Sequence, residues 1–544
     1  MEKFFYFKLS IITFVIVAIA NLANNVFAQL EHESDNGSNN GSDRSEKELT
    51  IPESNRPGAF PVIKLEGEVN LSDENQILPI DGNQSLFHRA NSIKNAKKKI
   101  YIHTLYFNGD ESGKVLSNLM MDKKINENLD VRVFIDPVTQ YMGQVEKIDS
   151  QNTKIMFDNF MAAGIPVYGY ECESIFMDRF LKQGIREFFS KKWFGSIIPA
   201  HGRNHEKVHF IDDDLAIIGG LNIVNYFFRV NEAGVNLSRD QDVLIKGKTL
   251  VKQIGQILDK NVQYYTSGID DPTKKSCFNN YPFGSPEYIK FLKYHQKPFI
   301  KKEFSDPKER EKLLEVEKRI AENLEGVDQS FFNEKRDLNI PIKAVESTRL
   351  VYNNPAISNE TNHIEDAYIG LINQAQKKIM ITNSYFFPPD KVVEALRKAA
   401  SRGVKIFIAT KAAETNDISA LGAYARKNYH KLVKGYEKQF KIYEWTGIRK
   451  GHEGEGIING TLHAKLATFD DQISIIGSYN FDPASRNGNS EIAIIFKDEQ
   501  YAKQLTSTFF EKDLEYSREI SEEDILNYSL ENINPLYKFI SDII

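Results

Sequence analysis

The chain contains very little cysteine. Cys172 and Cys277 are the two cysteines among 544 residues. Two cysteines can form a single disulfide, but they cannot build a disulfide framework or a cysteine-rich zinc site. The sequence therefore excludes a small disulfide-stapled fold and leaves open whether these two residues pair.

The chain also lacks an excess of positive charge. Its formal net charge is −6 and its isoelectric point is about 6.1, which argues against a strongly basic nucleic-acid-binding protein. Hydrophobic residues make up 41% and charged residues 26% of the chain, which is an ordinary globular composition. A length of 544 residues predicts about three domains.

The first 28 residues contain an apolar run that is too short for a good membrane span, which needs about 20 residues. Lys3 and Lys8 precede the run 9–20, and Ala28 ends a small-residue cleavage pattern. We therefore predict an export signal and a periplasmic or secreted protein. A signal retained as a membrane anchor is the alternative.

Two long parts of the chain resemble each other. The stretch "IKNAKKKIYIHTLYF" (93–107) aligns with "INQAQKKIMITNSYF" (372–386), and each reads as a helix end followed by a strand. Alternating helices and strands predict an α/β domain with a largely buried sheet. The duplication predicts the following segments: an export signal (1–28), a disordered linker (29–57), an N-terminal domain (58–266), a charged helical connector (267–342) and a C-terminal domain (343–544).

The stretch "NHEKVHFIDDD" (204–214) fits two incompatible motifs. His205-Glu206-x-x-His209 is a zinc-protease pattern, which requires a helix. Alternating apolar residues followed by an acidic turn and a second apolar run predict a strand–turn–strand unit instead. In a strand, His205 and Lys207 point to one side while Glu206 points to the other.

The second copy of this stretch decides between the motifs. "HEKVHFIDDDLAIIGGLN" (205–222) aligns without a gap to "HAKLATFDDQISIIGSYN" (463–480). Alanine stands where Glu206 and His209 stand in the first copy, so the zinc pattern is not repeated. A His-x-Lys-x4-Asp pattern is repeated, with these members: His205, Lys207 and Asp212, then His463, Lys465 and Asp470. We therefore expect neither a metal nor a cofactor.

These paired motifs resemble those of the phospholipase D superfamily, and of its bacterial cardiolipin-synthase-like branch in particular. "GGLN" (219–222), "RDQDVLIKG" (239–247), "GSYNFDPASRNGNSE" (477–491) and "FFEKDLEYS" (509–517) are similar to that branch. The resemblance implies two homologous α/β sandwich domains with mixed sheets, related by a pseudo-two-fold axis. It also implies one active site at their interface.

Two histidines can cleave a phosphodiester if one attacks phosphorus and the other protonates the leaving oxygen. The resemblance implies a phosphohistidine intermediate, with His205 as nucleophile and His463 as general acid and then base. The sequence alone does not fix this order. Lysines and asparagines can hold the phosphate oxygens, and the resemblance assigns that role to these residues: Lys207, Lys465, Asn222, Asn480 and, as an extra donor, Ser478.

Carboxylates near the histidines are expected to fix the tautomer of each imidazole ring. The resemblance places this duty on Glu491 in the second half and on Asp242, or Asp240, in the first. Asp212 and Asp470 are counted with the catalytic candidates. The alternatives for these two are that they tie the hairpin together, that they support the charge network, or that they have a plain surface role.

The sequence thus predicts an exported monomer that transfers or hydrolyses a phosphatidyl group, with phospholipid and a membrane surface as partners and no nucleic acid. Basic and aromatic residues in 179–204 suit contact with an anionic lipid surface, or an amphipathic helix packed on the domain. Ala484 and Asn225 depart from the branch, which usually has arginine and an acidic residue there. A hydrolytic phospholipase D, a metal-independent nuclease and an inactive binding protein are the alternatives.

Overall fold

The computed structural model describes the chain from residue 75 to residue 530 with several gaps. The described ranges are 75–136, 150–169, 204–228, 237–266, 342–354, 363–416, 419–448 and 460–530. The predicted export signal, the linker, both cysteines and nearly all of the connector and of the stretch 179–204 lie outside these ranges. No helix among the described residues is long and apolar enough to span a bilayer.

The first half is built on an eight-stranded mixed sheet with the order β4-β3-β2-β5-β6-β8-β1-β9. The pairs β2–β3 and β3–β4 are parallel, and the other pairs are antiparallel. The strands of the first half are β1 (Gln76–Asp81), β2 (Lys99–Thr104), β3 (Asp130–Ile135), β4 (Val167–Gly169), β5 (Val208–Ile211), β6 (Leu215–Gly219), β7 (Leu237–Arg239), β8 (Gln241–Lys246) and β9 (Lys343–Ala344).

The second half is built on a matching eight-stranded sheet with the order β10-β17-β16-β15-β11-β12-β13-β18. Its parallel pairs are β11–β12 and β12–β13. The strands are β10 (Ser347–Asn353), β11 (Lys378–Asn383), β12 (Lys405–Lys411), β13 (Phe440–Trp445), β14 (Gly460–Leu462), β15 (Lys465–Phe469), β16 (Ile473–Gly477), β17 (Glu491–Lys497) and β18 (Ser517–Glu519).

Seven strands of one sheet have a counterpart at the same place in the other sheet. The run from β4 to β1 matches the run from β13 to β10, and β9 and β18 are the additions. This confirms the prediction of two homologous α/β halves with mixed sheets. One detail differs from the predicted division at residue 343, because Lys343 and Ala344 pair with β1 and so extend the first sheet.

Helices pack against the faces of both sheets. The helix Glu111–Glu127 shows why the chain folds this way locally: the Asp110 side chain accepts from Gly113 N at 3.1 Å at its start, and Asn128 ends it in the left-handed conformation. The helices are α1 (Gly82–Asn95), α2 (Glu111–Glu127), α3 (Ser150–Ala162), α4 (Asn225–Phe228), α5 (Lys248–Thr266), α6 (His363–Gln374), α7 (Asp390–Ser401), α8 (Ser419–Val433), α9 (Pro483–Asn487), α10 (Glu499–Gln504), α11 (Glu511–Leu514) and α12 (Glu522–Leu530). A 3₁₀ turn (Ala413–Thr415) and a π-helical turn (Leu505–Phe510) complete the set.

Apolar side chains from the two sheets form one shared core between the halves. Val208 and Ile218 of the first sheet belong to the same buried cluster as Leu466 and Ile476 of the second. Truncating one such side chain to alanine costs about 2–5 kcal/mol. The strands β5 and β15 form the central part of the two histidine motifs, and both border this core. The fold therefore brings both motifs to one interface.

Candidate active site

Each histidine is held by the backbone of the opposite half. His205 N donates to Ser490 O at 3.1 Å, and His463 N donates to Arg239 O at 2.7 Å. The short strands β7 and β14 pair in parallel beside the second of these contacts. The residue that follows each accepting carbonyl is acidic, namely Asp240 after Arg239 and Glu491 after Ser490. The backbone contacts therefore place one carboxylate beside the histidine of the other half.

The two orienting carboxylates are exchanged between the halves. His205 Nδ1 lies 2.9 Å from Glu491 Oε2, and His463 Nδ1 lies 2.5 Å from Asp240 Oδ2. The sequence placed one orienting carboxylate in each half, and the structure pairs each of them with the histidine of the other half. Neither half can hold its own histidine in one tautomer without the other.

Asp242 contacts neither histidine, so of the two residues expected to orient a histidine, Asp240 has that role and the assignment of Asp242 is wrong. Its Oδ2 accepts from Ser85 Oγ at 2.6 Å and from Arg89 Nη2 at 2.8 Å, and this ion pair is fully buried. The register gives the reason. In the first half, Gly220 N donates to Gln241 O, and in the second half the equivalent Ser478 N donates to Ile492 O. Gln241 is therefore equivalent to Ile492, and the residue before each of them, Asp240 or Glu491, has the same position.

Ser478 supports a carboxylate in this structure. Its hydroxyl donates to Glu491 Oε2 at 2.5 Å, and the Ser485 hydroxyl donates to Glu491 Oε1 at 2.7 Å. Burial raises the pKa of Glu491 to about 8, while Lys207 and the two serines act in the opposite direction. Because donors surround both carboxylate oxygens, we assign the proton of this pair to His205 Nδ1, which leaves the Nε2 lone pair of His205 available.

The two motif lysines lie beside their histidines. Lys207 Nζ donates to His205 O at 2.7 Å, whereas Lys465 Nζ lies 2.9 Å from His463 Nδ1 and 3.1 Å from its Nε2. Burial lowers the pKa of Lys207 to about 7 and that of Lys465 to about 8. An anion bound between the two ammonium groups would stabilise both in the charged form.

Burial, followed by the charge of nearby lysines, lowers the pKa of both histidines well below the usual value. The side chains are nevertheless 10% and 11% exposed, so a substrate can reach them. A neutral imidazole ring carries a lone pair that can attack an electrophilic phosphorus. A negatively charged phosphodiester would raise the pKa of His463 and favour the protonated ring that a general acid needs.

Asn222 and Asn480 follow the strands β6 and β16, and their amide oxygens are occupied. Asn222 Oδ1 accepts from Tyr106 N at 3.2 Å, and Asn480 Oδ1 accepts from Ser384 Oγ at 2.9 Å. Both side chains are buried. These contacts orient the amide so that its Nδ2 group is the part that can donate to a phosphate oxygen.

The two motif aspartates lie at the far ends of the motif strands. Asp212 follows His205 by seven residues, or roughly 20 Å of extended chain. Its carboxylate accepts from the backbone N of Lys97, Lys98 and Lys99 at 2.6, 2.7 and 2.9 Å. The Asp470 carboxylate accepts in the same way from the backbone N of residues 376, 377 and 378, at 2.8, 2.8 and 2.9 Å. The catalytic assignment of Asp212 and Asp470 is therefore wrong, and the alternative that they tie the hairpin is the one that the geometry fits.

We expect Asp212→Asn to reduce stability without removing activity. Asparagine tolerates the left-handed backbone of this turn, where φ is 55°, but it has one acceptor oxygen for three donors. The expected loss is about 1–3 kcal/mol of unfolding free energy, measured by urea denaturation. Asp213→Asn is the matched control, because Asp213 has the same backbone conformation and forms a partly exposed ion pair with Lys99, which contributes at most about 1 kcal/mol. A catalytic role would instead appear as a fall in kcat with unchanged stability.

The zinc-protease pattern is not assembled in three dimensions. His209 lies on β5, and its Nε2 is 2.8 Å from Ser92 Oγ, whereas Glu206 Oε1 accepts from Asn261 Nδ2 at 2.8 Å and from Tyr352 Oη at 3.1 Å. Within the described ranges, no three histidine, cysteine or acidic side chains are grouped to hold a metal.

Several residues that shape the site were not selected from the sequence. Arg239 donates to Asp513 Oδ1 from Nε at 2.9 Å, and this buried pair fixes the segment whose carbonyl receives His463 N. The Phe227 ring packs edge-on against the His463 ring at 4.9 Å. Asp513 lies in the C-terminal stretch that resembles the cardiolipin-synthase branch, so that resemblance was the available signal. Arg239 begins another stretch that resembles that branch (239–247), whereas Phe227 lies in no such stretch.

Asn225, one of the two departures from the branch, has a structural role. Its Oδ1 accepts from Ser112 N at 2.8 Å and from Ser112 Oγ at 2.6 Å, which ties α4 to α2. The other departure, Ala484, lies in the short helix α9, which the Asp482 side chain caps by accepting from Ser485 N at 2.7 Å. Neither residue touches a histidine in the contacts described above.

Comparison with known proteins gives matches over both halves. The family model described as "Cardiolipin synthase, PLD-like domain" matches residues 90–262 and 368–514. An uncharacterized protein of Helicobacter pylori strain J99 is 24% identical over 432 residues, which cover 79% of this chain and 77% of that one. Cardiolipin synthase 1 of Staphylococcus aureus strain MRSA252 is 24% identical over 453 residues, or 83% of this chain and 69% of that one.

A solved structure has the same fold. The phosphatidylserine synthase of Haemophilus influenzae Rd KW20 superposes with a TM-score of 0.54 and 16% identity, and the match covers 86% of this chain and 95% of that one. At this identity, the likeness concerns the fold. Both motif histidines and both orienting carboxylates lie inside the two matched ranges of the family model.

Proposed function

Because this chain belongs to the phospholipase D-like family described as "Cardiolipin synthase, PLD-like domain", we propose that it transfers a phosphatidyl group from one phospholipid to an alcohol carried by another. The supporting observation is the convergence of two His–Lys pairs at one interface, with each histidine paired to a carboxylate of the opposite half. The relative from Staphylococcus aureus is named a cardiolipin synthase, which favours phosphatidylglycerol as the acceptor.

In the first step, His205 Nε2 attacks the phosphorus of the donor lipid. A phosphorus–nitrogen bond forms and the bond from phosphorus to the headgroup oxygen breaks. His463, protonated while the anionic substrate is bound, gives its Nε2 proton to that oxygen. Lys207, Lys465, Asn222 and Asn480 hold the non-bridging oxygens, whose charge changes most in the transition state.

In the second step, the acceptor hydroxyl takes the place of the departed headgroup. His463 is now neutral and removes the hydroxyl proton, while the oxygen attacks phosphorus and displaces His205. A lipid alcohol yields a two-phosphate lipid, and water yields phosphatidic acid. Every residue of the first step is used again, with Glu491 holding His205 and Asp240 holding His463 throughout.

The predicted export signal supports a location outside the cytoplasm, in the periplasm or beyond it. A monomer suffices for the proposed reaction, because the two halves of one chain supply both histidines and both carboxylates. The lipid substrate places the protein at a membrane surface during turnover.

The test is a lipid-product assay on the full chain with phosphatidylglycerol and phosphatidylethanolamine vesicles in EDTA. We expect cardiolipin from the wild type and none from His463→Ala, read by mass spectrometry. Phosphatidic acid without cardiolipin would replace the transferase with a hydrolytic phospholipase D. Products that require a divalent metal, or cleavage of DNA with no lipid turnover, would overturn the proposal.

A further inference from the structure

A third lysine reaches the site from the second half. Lys411 is the last residue of β12 and is 3% exposed. In the strand order β15-β11-β12, Asn383 pairs with Lys465, and Thr382 pairs with Ala409. The backbones of Lys465 and Lys411 are thus about two strand spacings, or about 10 Å, apart at the same edge of the sheet.

The Lys411 side chain is held by an aromatic residue of the neighbouring strand end. Its Nζ lies 3.4 Å from Tyr385 Oη and 4.7 Å from the centre of the Tyr385 ring. A cation over an aromatic face is stabilised there. The ammonium group is therefore positioned, even though no motif requires a lysine at this place.

The charge of Lys411 acts on one side of the site. After burial and the charge of Lys465, it contributes to the lowered pKa of His463, while the causes that lower the pKa of His205 are burial, Lys207 and Lys465. His463 is the residue that meets the headgroup oxygen and the acceptor hydroxyl in the proposed reaction. The position of Lys411 at the edge of the sheet that carries Lys465, together with this effect of its charge, places it on the His463 side, which is the acceptor side.

From this placement we infer that Lys411 binds the phosphate of the acceptor lipid and selects a phosphate-bearing alcohol over a simple alcohol or water. The inference rests on the proposed function. The phosphate undergoing transfer already has Lys207 and Lys465. An acceptor phospholipid brings a second anion into the same cavity, and a third ammonium group offsets the repulsion between the two.

The test compares two acceptors that compete for one covalent intermediate. Phosphatidylglycerol vesicles are supplied with ethanol, and cardiolipin and phosphatidylethanol are quantified by mass spectrometry in EDTA. Because both products arise from the same intermediate, their ratio does not depend on how much protein is folded. We expect Lys411→Gln to lower the cardiolipin-to-phosphatidylethanol ratio at least about tenfold, and Lys411→Arg to restore most of it.

Lys405→Gln is the matched control, because Lys405 begins the same strand, is exposed and donates to the Lys438 carbonyl. The cardiolipin-to-phosphatidylethanol ratio of Lys405→Gln should equal that of the wild type. An unchanged ratio in Lys411→Gln, or a parallel fall of both products, would overturn the role in acceptor choice. A wild type that makes phosphatidylethanol but no cardiolipin would also overturn it, whereas a wild type that makes neither would overturn the proposed function itself.

Discussion

His205→Ala is expected to lose both turnover and the covalent intermediate, whereas His463→Asn loses turnover but still forms the intermediate from an activated substrate. The proposed roles give the reason. His205 supplies the atom that bonds to phosphorus, and its loss should reduce kcat roughly 10⁴-fold or more. His463 supplies a proton, which a leaving group of low pKa does not need.

The measurement uses a lipid analogue with a nitrophenol leaving group and follows both nitrophenol release and the mass of the denatured protein. The His463→Asn protein should release about one equivalent of nitrophenol in a burst and gain the mass of the phosphatidyl group. His205→Ala should show neither. His430→Ala serves as a control, because His430 lies on α8, outside the site. A burst from His205→Ala and none from His463→Asn would reverse the two roles.

The repeated motif was the part of the site that the sequence could reveal. His205, Lys207, His463 and Lys465 recur in register, and alternating apolar residues identify the strands at whose start they lie. Both are local patterns, readable along the chain. The zinc pattern could be rejected on the same grounds, since a strand places His205 and Glu206 on different sides.

The partners of the histidines could not be read in this way, because they depend on how the halves dock. Glu491 reaches His205 only because Ser490 O accepts from His205 N across the interface. The choice of Asp240 over Asp242 depends on the register of Gly220 against Gln241, and both acidic residues fit the sequence motif equally well.

Lys411 illustrates a further limit of sequence reading. It lies more than 50 residues before His463, at the end of a parallel strand that has no motif of its own. Parallel strands deliver their carboxyl ends to one edge of a sheet, so residues distant in sequence meet there. Its place beside the site becomes visible once the order β15-β11-β12 is known.

Because each histidine is oriented by a carboxylate of the other half, removal of a carboxylate from one half should impair the histidine of the other half. Glu491→Gln should impair the step that His205 performs, and Asp240→Asn the steps that His463 performs, although each carboxylate belongs to the other half. Loss of an orienting carboxylate leaves an imidazole in the wrong tautomer and lowers kcat on the order of 10²–10⁴-fold. Both variants keep the shape of the side chain, so the fold is expected to remain.

The nitrophenol substrate separates the two variants. It should rescue the burst of Asp240→Asn, because protonation of the leaving group is no longer needed, and should leave Glu491→Gln slow in forming the intermediate.

Asp242→Asn is the control variant for these two. It weakens the buried pair with Arg89, where the full loss of one partner costs about 3–5 kcal/mol, so its main effect should be a lower urea midpoint. If the substrate rescued Glu491→Gln and not Asp240→Asn, each carboxylate would serve its own half after all. The paired histidines would then act through contacts other than those at 2.9 Å and 2.5 Å.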